Sequence, residues 1–373
     1  MKLLIIYDYF YPASKAGGIV RSLYNLSHLL APENHVYVYT SNIDLDGSEL
    51  PVENDKWVKL NNVLVYYALE PNKDSFYYLI EDIMPEMIYF SGIFTPNFIF
   101  FPLLTIRRLN RINPKIVIAP RGMLQKGALS GKWFKKKIYL MLFKLFGLHK
   151  NIYWHATDET EVQDIQRIFG LNQVIKIAHN IPTFPLSYVN NTVKWPKRMN
   201  LVYLSLITSK KNLSFILELL SQVEYDFSFD IYGPVKDHEF WQKCQNMIDE
   251  SNKAISYKGD VNPEIVFHIL DNYHFFILPT NGENFGHAIF EALAAGVPVI
   301  ISDQTPWRNL ESKKAGWDIP LNQPERWLEV LEYAYHMDQE EYNQWSFGAR
   351  RVAEQYMEEQ NFEEQYGRLF SVG

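Results

Sequence analysis

The sequence predicts an α/β protein made of two doubly wound, Rossmann-like domains facing a central cleft, with C-terminal helices. Three observations carry this. Short apolar, β-rich runs alternate with amphipathic stretches of helical length. The alternation breaks once, at a proline-bearing stretch near the middle, and then restarts. The length of 373 residues suits two domains of the usual size, about 100–200 residues each.

In chain order, the first half offers strand candidates at 3–7, 36–40, 63–68, 87–90, 115–119, 151–156 and 174–178. Helix candidates between them include 18–30, 96–111, 132–146 and 158–169. The last opens with Asp158, Glu159 and Glu161, acids that the positive end of a helix dipole favours. Residues 182–199, with Pro182, Pro185, Pro196 and polar Asn190, Asn191 and Thr192, show no period and read as a linker. Strand candidates then recur at 200–206, 227–232, 255–257, 275–278 and 297–302, and from about 323 onward the chain is helical in character. The predicted organisation is therefore a first domain at 1–181, a second at 200–352, and a C-terminal helix at 353–373 packing back on the first. Ligands of such sheets bind at the carboxyl ends of the strands, which puts the expected site in the cleft.

Composition narrows the function. One cysteine, Cys244, excludes a disulfide framework and a multi-thiolate zinc site and fits a reducing compartment. The five-residue apolar start runs straight into Asp8, short of the roughly 7–15 apolar residues of a signal-peptide core. No run nears the roughly 20 apolar residues of a membrane span, so the expectation is a soluble, cytoplasmic protein. The net charge of −7 conceals an asymmetry. Residues 1–180 carry 20 Lys+Arg against 16 Asp+Glu, and 181–373 carry 16 against 27. Between Glu86 and Asp158 there is no acid at all, while arginines and lysines from Arg107 to Lys150 accumulate. A one-sign surface of this kind attracts anions. Negative overall charge and the lack of a recognisable binding module argue against nucleic acid. No G-x-G-x-x-G follows any strand, which excludes a dinucleotide oxidoreductase.

The most informative stretch runs from Leu278 to Ser302, read as strand, loop, helix, glycine stop and strand. Asn281, Gly282 and Gly286 let the backbone approach a ligand closely, and a helix starting near Asn284 offers free amides to an anion. Glu283 sits at that mouth and Glu291 about two turns into the helix, where carboxylates accept hydrogen bonds from hydroxyl groups. Read alone, the pair is also compatible with a capping and a solvent-facing glutamate.

Glu283 to Glu291 resembles the Glu-x7-Glu motif of the retaining family 4 glycosyltransferases, which have the GT-B fold. The string through Gln304 to Leu310 and Gly316-Trp317 resembles a bacterial subgroup acting in surface-polysaccharide synthesis. Other pieces match in the family's order: Ala16-Gly17-Gly18; Ala119 to Leu124 with Trp133 and Lys136-Lys137; Ala178 to Ile181; Ser205 to Asn212; Tyr232 to Pro234; and Tyr257 to Gly259. The resemblance covers roughly residues 1–320. It implies that Glu283 touches the donor sugar and Glu291 the ribose. It also implies that the backbone of Asn284, Phe285 and Gly286 lies near the sugar diphosphate, that Gly17 and Gly18 face donor and acceptor, and that Lys211 clamps the diphosphate.

Two positions depart from the family. The arginine usually found five residues before the lysine is Leu206, and a charge-assisted contact is worth about 1.5–3 kcal/mol, about 10- to 100-fold in donor affinity. Lys210, Lys258 or a first-domain arginine is the expected substitute. Many relatives have a histidine where Arg121 stands; arginine stays protonated and is no base, but binds phosphate bidentately. Arg121 reads as a holder of donor diphosphate or acceptor phosphate, or equally as a structural pair. His155, ending a strand, and His287 read either as cleft residues or as structural histidines; Glu283, Arg121 and His155 form the catalytic set.

The resemblance implies a sugar moved from a UDP- or GDP-sugar to a glycan or polyprenyl-diphosphate-linked acceptor in capsule, exopolysaccharide or O-antigen synthesis. It implies no metal and no other cofactor, a leaving-group oxygen taking the acceptor's proton. The Asp44-x-Asp46 pair imitates a metal motif but lies in a polar glycine-containing loop, where metal is not expected. The stretch 131–147 has Lys132, Lys135, Lys136 and Lys137 in its first turns and aromatic and aliphatic residues after them, a pattern suited to an anionic lipid surface. Peripheral attachment at the inner face of the plasma membrane through the first domain follows; a buried helix with solvated lysines is the other reading. Two alternatives to the transferase stand: a non-catalytic GT-B scaffold, favoured by Leu206, and a sugar-nucleotide epimerase or hydrolase.

Overall fold

The structure is a computed structural model that describes residues 1–371 apart from 110, 131, 132, 186–189 and 191. Lys132, and residues 186–189 and 191 of the predicted linker, lie outside the described residues. The chain divides into two compact units, Met1–Ile181 with Asn361–Gly373, and Pro182–Gln360.

The first unit holds strands β1 (Lys2–Ile6), β2 (His35–Ser41), β3 (Trp57–Leu60), β4 (Val63–Ala68), β5 (Met87–Ser91), β6 (Lys115–Ala119), β7 (Tyr153–Ala156) and β8 (Val174–Ile177). They form one sheet in the order β3-β4-β2-β1-β5-β6-β7-β8, parallel except for β3 against β4. The central strands are continuous apolar runs because helices cover both faces; Leu3 to Ile6 and Met87 to Phe90 are almost wholly buried. The helix Glu159–Phe169 begins as its acids predict: the Asp158 carboxylate accepts from the Glu161 amide at 2.9 Å, and Gly170 ends it. The stretch 96–111 is not one helix. Its first turn, Pro96–Phe100, is wound as π-helix, and the α-helix is Phe101–Ile106.

The second unit holds β9 (Asn200–Leu204), β10 (Ser228–Tyr232), β11 (Ala254–Gly259), β12 (Phe275–Leu278), β13 (Val299–Ser302) and β14 (Gly316–Ile319). Their order is β11-β10-β9-β12-β13-β14, all parallel. This is the doubly wound 3-2-1-4-5-6 order, with its reversal between β9 and β12. In the first unit the reversal lies between β1 and β5.

Two predicted boundaries move. Residues 182–199 are not a free linker, since they belong to the second unit. There Asn190 Nδ2 donates to the Gly296 carbonyl at 2.9 Å, and the buried Lys194 ammonium donates to the carbonyls of Trp195 and Met337, both at 2.9 Å. The cut at 352/353 falls inside the long helix Gln339–Glu359, and the return to the first unit begins at Asn361. The helix Phe362–Phe370 is fastened there by Tyr366, whose hydroxyl donates to the His179 carbonyl at 2.9 Å, and by Gln365, which accepts from the His179 amide at 2.9 Å.

Candidate functional site

At the reversal of the second sheet, the loops after β9 and β12 leave the carboxyl ends of the strands, where ligands of such sheets bind. The loop after β9 carries Lys210 and Lys211, and the loop after β12 carries Asn281 to Gly286. The Asn281 amide donates to the Lys210 carbonyl at 2.8 Å, so the two loops are stitched directly across the reversal. The Lys211 ammonium is ion-paired with Glu283 Oε1, and both side chains are largely buried. Gly282 lies against the Lys210 side chain; a Cβ there would sit 3.6 Å from Lys210 Cε. Lys210, Lys211, Glu283 and the start of the helix His287–Ala294 thus come together, while Leu206 takes its place half-buried on the same loop.

The helix starts at Gly286, which has φ +79° and no side-chain cap. That left-handed conformation favours glycine, and the uncapped first turn presents backbone amides and the positive dipole end at the mouth. Ile289, Phe290 and Leu293 bury the inner face of the helix, each worth about 1.5–3 kcal/mol. Glu291, one turn in, is buried at 3% exposure. The role of the Gln304 to Leu310 string is now visible. The Glu283 amide donates to the Gln304 carbonyl at 2.9 Å, and the Trp307 indole donates to the Phe285 carbonyl at 2.6 Å. Trp307 packs on Phe285, Phe290 and Tyr356. The segment is a brace that fixes the Glu283–Gly286 backbone.

Chemically this assembly has two cations, an uncapped helix end and the Glu283 carboxylate at one strand-end cluster, with Glu291 buried in the helix that begins there. Cations and amides bind a diphosphate; carboxylates accept from sugar hydroxyls. Among the described residues no group of three or more His, Cys, Asp or Glu is placed to hold a metal ion. Asp44 instead accepts from the Lys15 and Leu45 amides at 3.1 and 2.6 Å, and Asp46 pairs with the Lys15 ammonium at 2.6 Å. The Asp-x-Asp pair therefore anchors the loop that leads into Gly17 and Gly18. Gly17, at φ +82°, starts the helix Gly18–Leu30 after β1.

Two expected catalytic residues lie in the first unit. Arg121 is 6% exposed, and its guanidinium donates to Asn180 Oδ1 at 2.6 Å, the Tyr89 hydroxyl at 2.8 Å and Ser22 Oγ at 3.4 Å. It sits at φ +56°, a strained conformation for a long side chain that this network holds in place. These bonds run inward, the structural pairing that the sequence left open, while Nε is buried without a partner. His155 has no exposure; Nδ1 meets the Tyr89 hydroxyl at 2.8 Å and Nε2 the Ala178 carbonyl at 2.7 Å. Burial, then the Arg121 charge, pushes its pKa down to about 3, so it is neutral and has no nitrogen left for substrate. His287 opens the second-unit helix, edge-on to Phe285.

One residue escaped the sequence reading. Asp8 follows β1 at the reversal of the first sheet, with Oδ1 buried and without a partner. Burial pushes its carboxyl up to about 6, against a hydrogen bond from Thr95. A single aspartate after an apolar run carries no signal of this; only the sheet order reveals it.

On the helix Trp133–Leu145, Lys135 and Lys137 are exposed, whereas Lys136 turns in, donating to the Ala128 carbonyl and lying 5.5 Å from the Phe94 ring centre. Lys136 is thereby removed from the proposed lipid-facing set. Among the described residues no helix is long and apolar enough to cross a membrane.

Comparison with known proteins agrees with this architecture. Residues 190–352 match the family described as glycosyl transferases group 1. Similar solved structures include sucrose-phosphate synthase from Thermosynechococcus elongatus, with TM-score 0.75 and 14% identity over 99% of this chain and 98% of that one. Anabaena HepE in complex with UDP-glucose gives 0.72 and 13%, covering 100% of both chains. WaaG, a glycosyltransferase involved in lipopolysaccharide biosynthesis, gives 0.69 and 13%, again over 100% of both. The chain therefore has the GT-B fold. Its second unit carries a glycosyltransferase group 1 domain. Among curated proteins, the GtfA subunit of a UDP-N-acetylglucosamine–peptide N-acetylglucosaminyltransferase from Streptococcus agalactiae is 25% identical over 176 residues. That match spans 44% of this chain and only 34% of the relative's length.

Proposed function

We propose that the chain is a retaining, family 4-like glycosyltransferase that uses a nucleotide-diphosphate sugar, UDP- or GDP-linked. The observation that carries the reading is the cluster at the second sheet's reversal: Lys210 and Lys211 beside Glu283 at an uncapped helix end. The C1–O bond to the β-phosphate breaks, an acceptor oxygen bonds C1 on the same face, and the acceptor's proton passes to the departing phosphate oxygen. Lys211, Lys210 and the amides of Asn284 to Gly286 stabilise the charge growing on the diphosphate, which is where transition-state binding exceeds ground-state binding. Glu283 orients the sugar and Glu291 the ribose. The anchored Gly17-Gly18 loop supports the acceptor side. No metal is required in this scheme, because cations and amides already balance the leaving group.

The acceptor we assign is a glycan or polyprenyl-diphosphate-linked glycan of surface-polysaccharide synthesis, reached from an anionic membrane. What supports the membrane is the helix Trp133–Leu145: Phe134, Ile138, Met141 and Leu145 form an exposed apolar stripe at spacings of three and four, with Lys135, Lys137 and Lys144 beside it. Such a face suits the headgroup boundary of a bilayer.

Thermal unfolding with a panel of UDP-, GDP- and other nucleotide sugars tests the donor. One donor stabilises the protein, and the effect disappears in Glu291→Ala; no shift with any donor favours the scaffold alternative. The anomeric configuration of the product, read by NMR coupling, tests retention.

A further inference from the structure

The apolar stripe ends at Leu145, and beyond it the chain turns through 146–151 into β7. There, between residues 149–153 and 172–174, lies a cavity of about 590 Å³ lined by His149, Lys150, Asn151, Tyr153, Asn172 and Gln173. It opens at the edge of the first sheet where β7 and β8 begin, away from their carboxyl ends.

Its electrostatics are one-sided. Arg107 is fixed beside it, donating to the carbonyls of Phe146, Gly147 and Lys150 at 3.1, 2.8 and 2.9 Å. Lys144 lies 5.7 Å from the centre of the Phe169 ring, on which His149 stacks. None of Arg107, Lys144 and Lys150 forms an ion pair among the described residues. Burial first, then the charges of Lys150, Lys144 and Arg107, lowers the pKa of His149, against a hydrogen bond to the Phe143 backbone. Arg107, Lys144 and Lys150 are three cations without a carboxylate, which leaves an anion-sized deficit of negative charge.

Val174, on the lining, and Leu145, Phe146 and Leu171, within four residues of lining residues in the chain, are 51, 75, 52 and 79% exposed. A free anion has no use for exposed apolar neighbours, whereas a phosphate attached to acyl chains does: its headgroup meets the cations while these side chains enter the acyl boundary. We propose that this cavity seats the phosphate of an anionic phospholipid, fixing how the first unit lies on the bilayer. The inference rests on the membrane reading above and specifies a headgroup site within it.

Flotation with vesicles of phosphatidylglycerol and phosphatidylcholine at 3:7, against pure phosphatidylcholine, tests it on the full chain. Wild type floats with the anionic vesicles only. A Lys144→Gln/Lys150→Gln variant, checked for native folding by near-UV dichroism, partitions about 25-fold less, since each surface cation contributes about fivefold. A Phe134→Ser/Met141→Ser variant tests the stripe separately. Loss of flotation there with none in the lysine variant overturns the headgroup site and leaves the membrane reading standing. Wild type that ignores anionic vesicles overturns both. Saturable binding of inorganic phosphate, abolished in the lysine variant without change in flotation, makes the cavity a soluble-anion site and also overturns the proposal.

Discussion

Arg121→Met separates a structural arginine from a substrate-binding one. The substitution removes two short bonds from a charged donor, to Asn180 at 2.6 Å and to Tyr89 at 2.8 Å. Each is worth about 1.5–3 kcal/mol. Methionine fills much of the volume, and the guanidinium's own burial cost is recovered, so a net loss of about 3 kcal/mol remains. The first unit has about 190 residues, for which 1 kcal/mol moves the melting temperature by about 2–4 °C. Calorimetry of the full chain should therefore show the first unit melting about 6–12 °C lower. Isothermal titration with the donor that stabilises wild type should give an affinity within twofold, because Arg121 belongs to the other unit's core. A melting temperature unchanged within about 2 °C, with donor affinity down tenfold or more, would refute the placement of Arg121.

Lys211→Met removes the partner of Glu283 and the cation proposed to hold the diphosphate; titration calorimetry should show donor binding weakened about 10- to 100-fold, and unchanged affinity places the diphosphate elsewhere. Asp8 has its carboxyl raised from 3.8 to about 6 by burial, so the folded state holds the proton more tightly than the unfolded chain. The stability this supplies is complete below about pH 4 and lost as pH rises through 6, a difference of up to about 3 kcal/mol. Urea unfolding at pH 4 and 7 should lose that dependence in Asp8→Asn; an unaltered profile sinks the assignment. Gly316 has φ +142°, and a Cβ there would lie 2.0 Å from the Val299 carbonyl oxygen. Gly316→Ala should destabilise the second unit by more than about 4 kcal/mol, read as lost soluble expression or an early calorimetric transition.

Strand positions were legible wherever burial on both faces made a continuous apolar run, as at β1, β5, β12 and β13. Two strands escaped. In β3, Trp57–Leu60, an exposed Lys59 at the sheet's edge leaves four residues without a clear period. In β14, the opening Gly316 reads as a turn, although its missing side chain is what admits the Val299 carbonyl. The Glu283–Glu291 segment was legible because its residues are close in sequence and its partner, Lys211, falls at the expected loop. Arg121 and His155 were not, because their surroundings come from Ser22, Tyr89 and Asn180, far apart in the chain. Whether a cation faces solvent or a buried amide is decided by packing between such distant pieces, and local pattern is blind to it. Lys136 makes the same point on a smaller scale, since one step around a helix separates it from the exposed Lys135 and Lys137.

The first unit is discontinuous: its sheet is spelled by residues 1–181, yet its final helix lies beyond residue 360. During synthesis on a ribosome, the second unit has all of its parts before the first does. The earlier-begun unit waits with Tyr89 and the His179 backbone uncovered until the segment 362–370 emerges, a window in which exposed apolar surface invites misassembly and chaperone capture. A fusion partner placed directly after residue 370 therefore burdens the N-terminal sheet, at the opposite end of the gene from where its effect is felt.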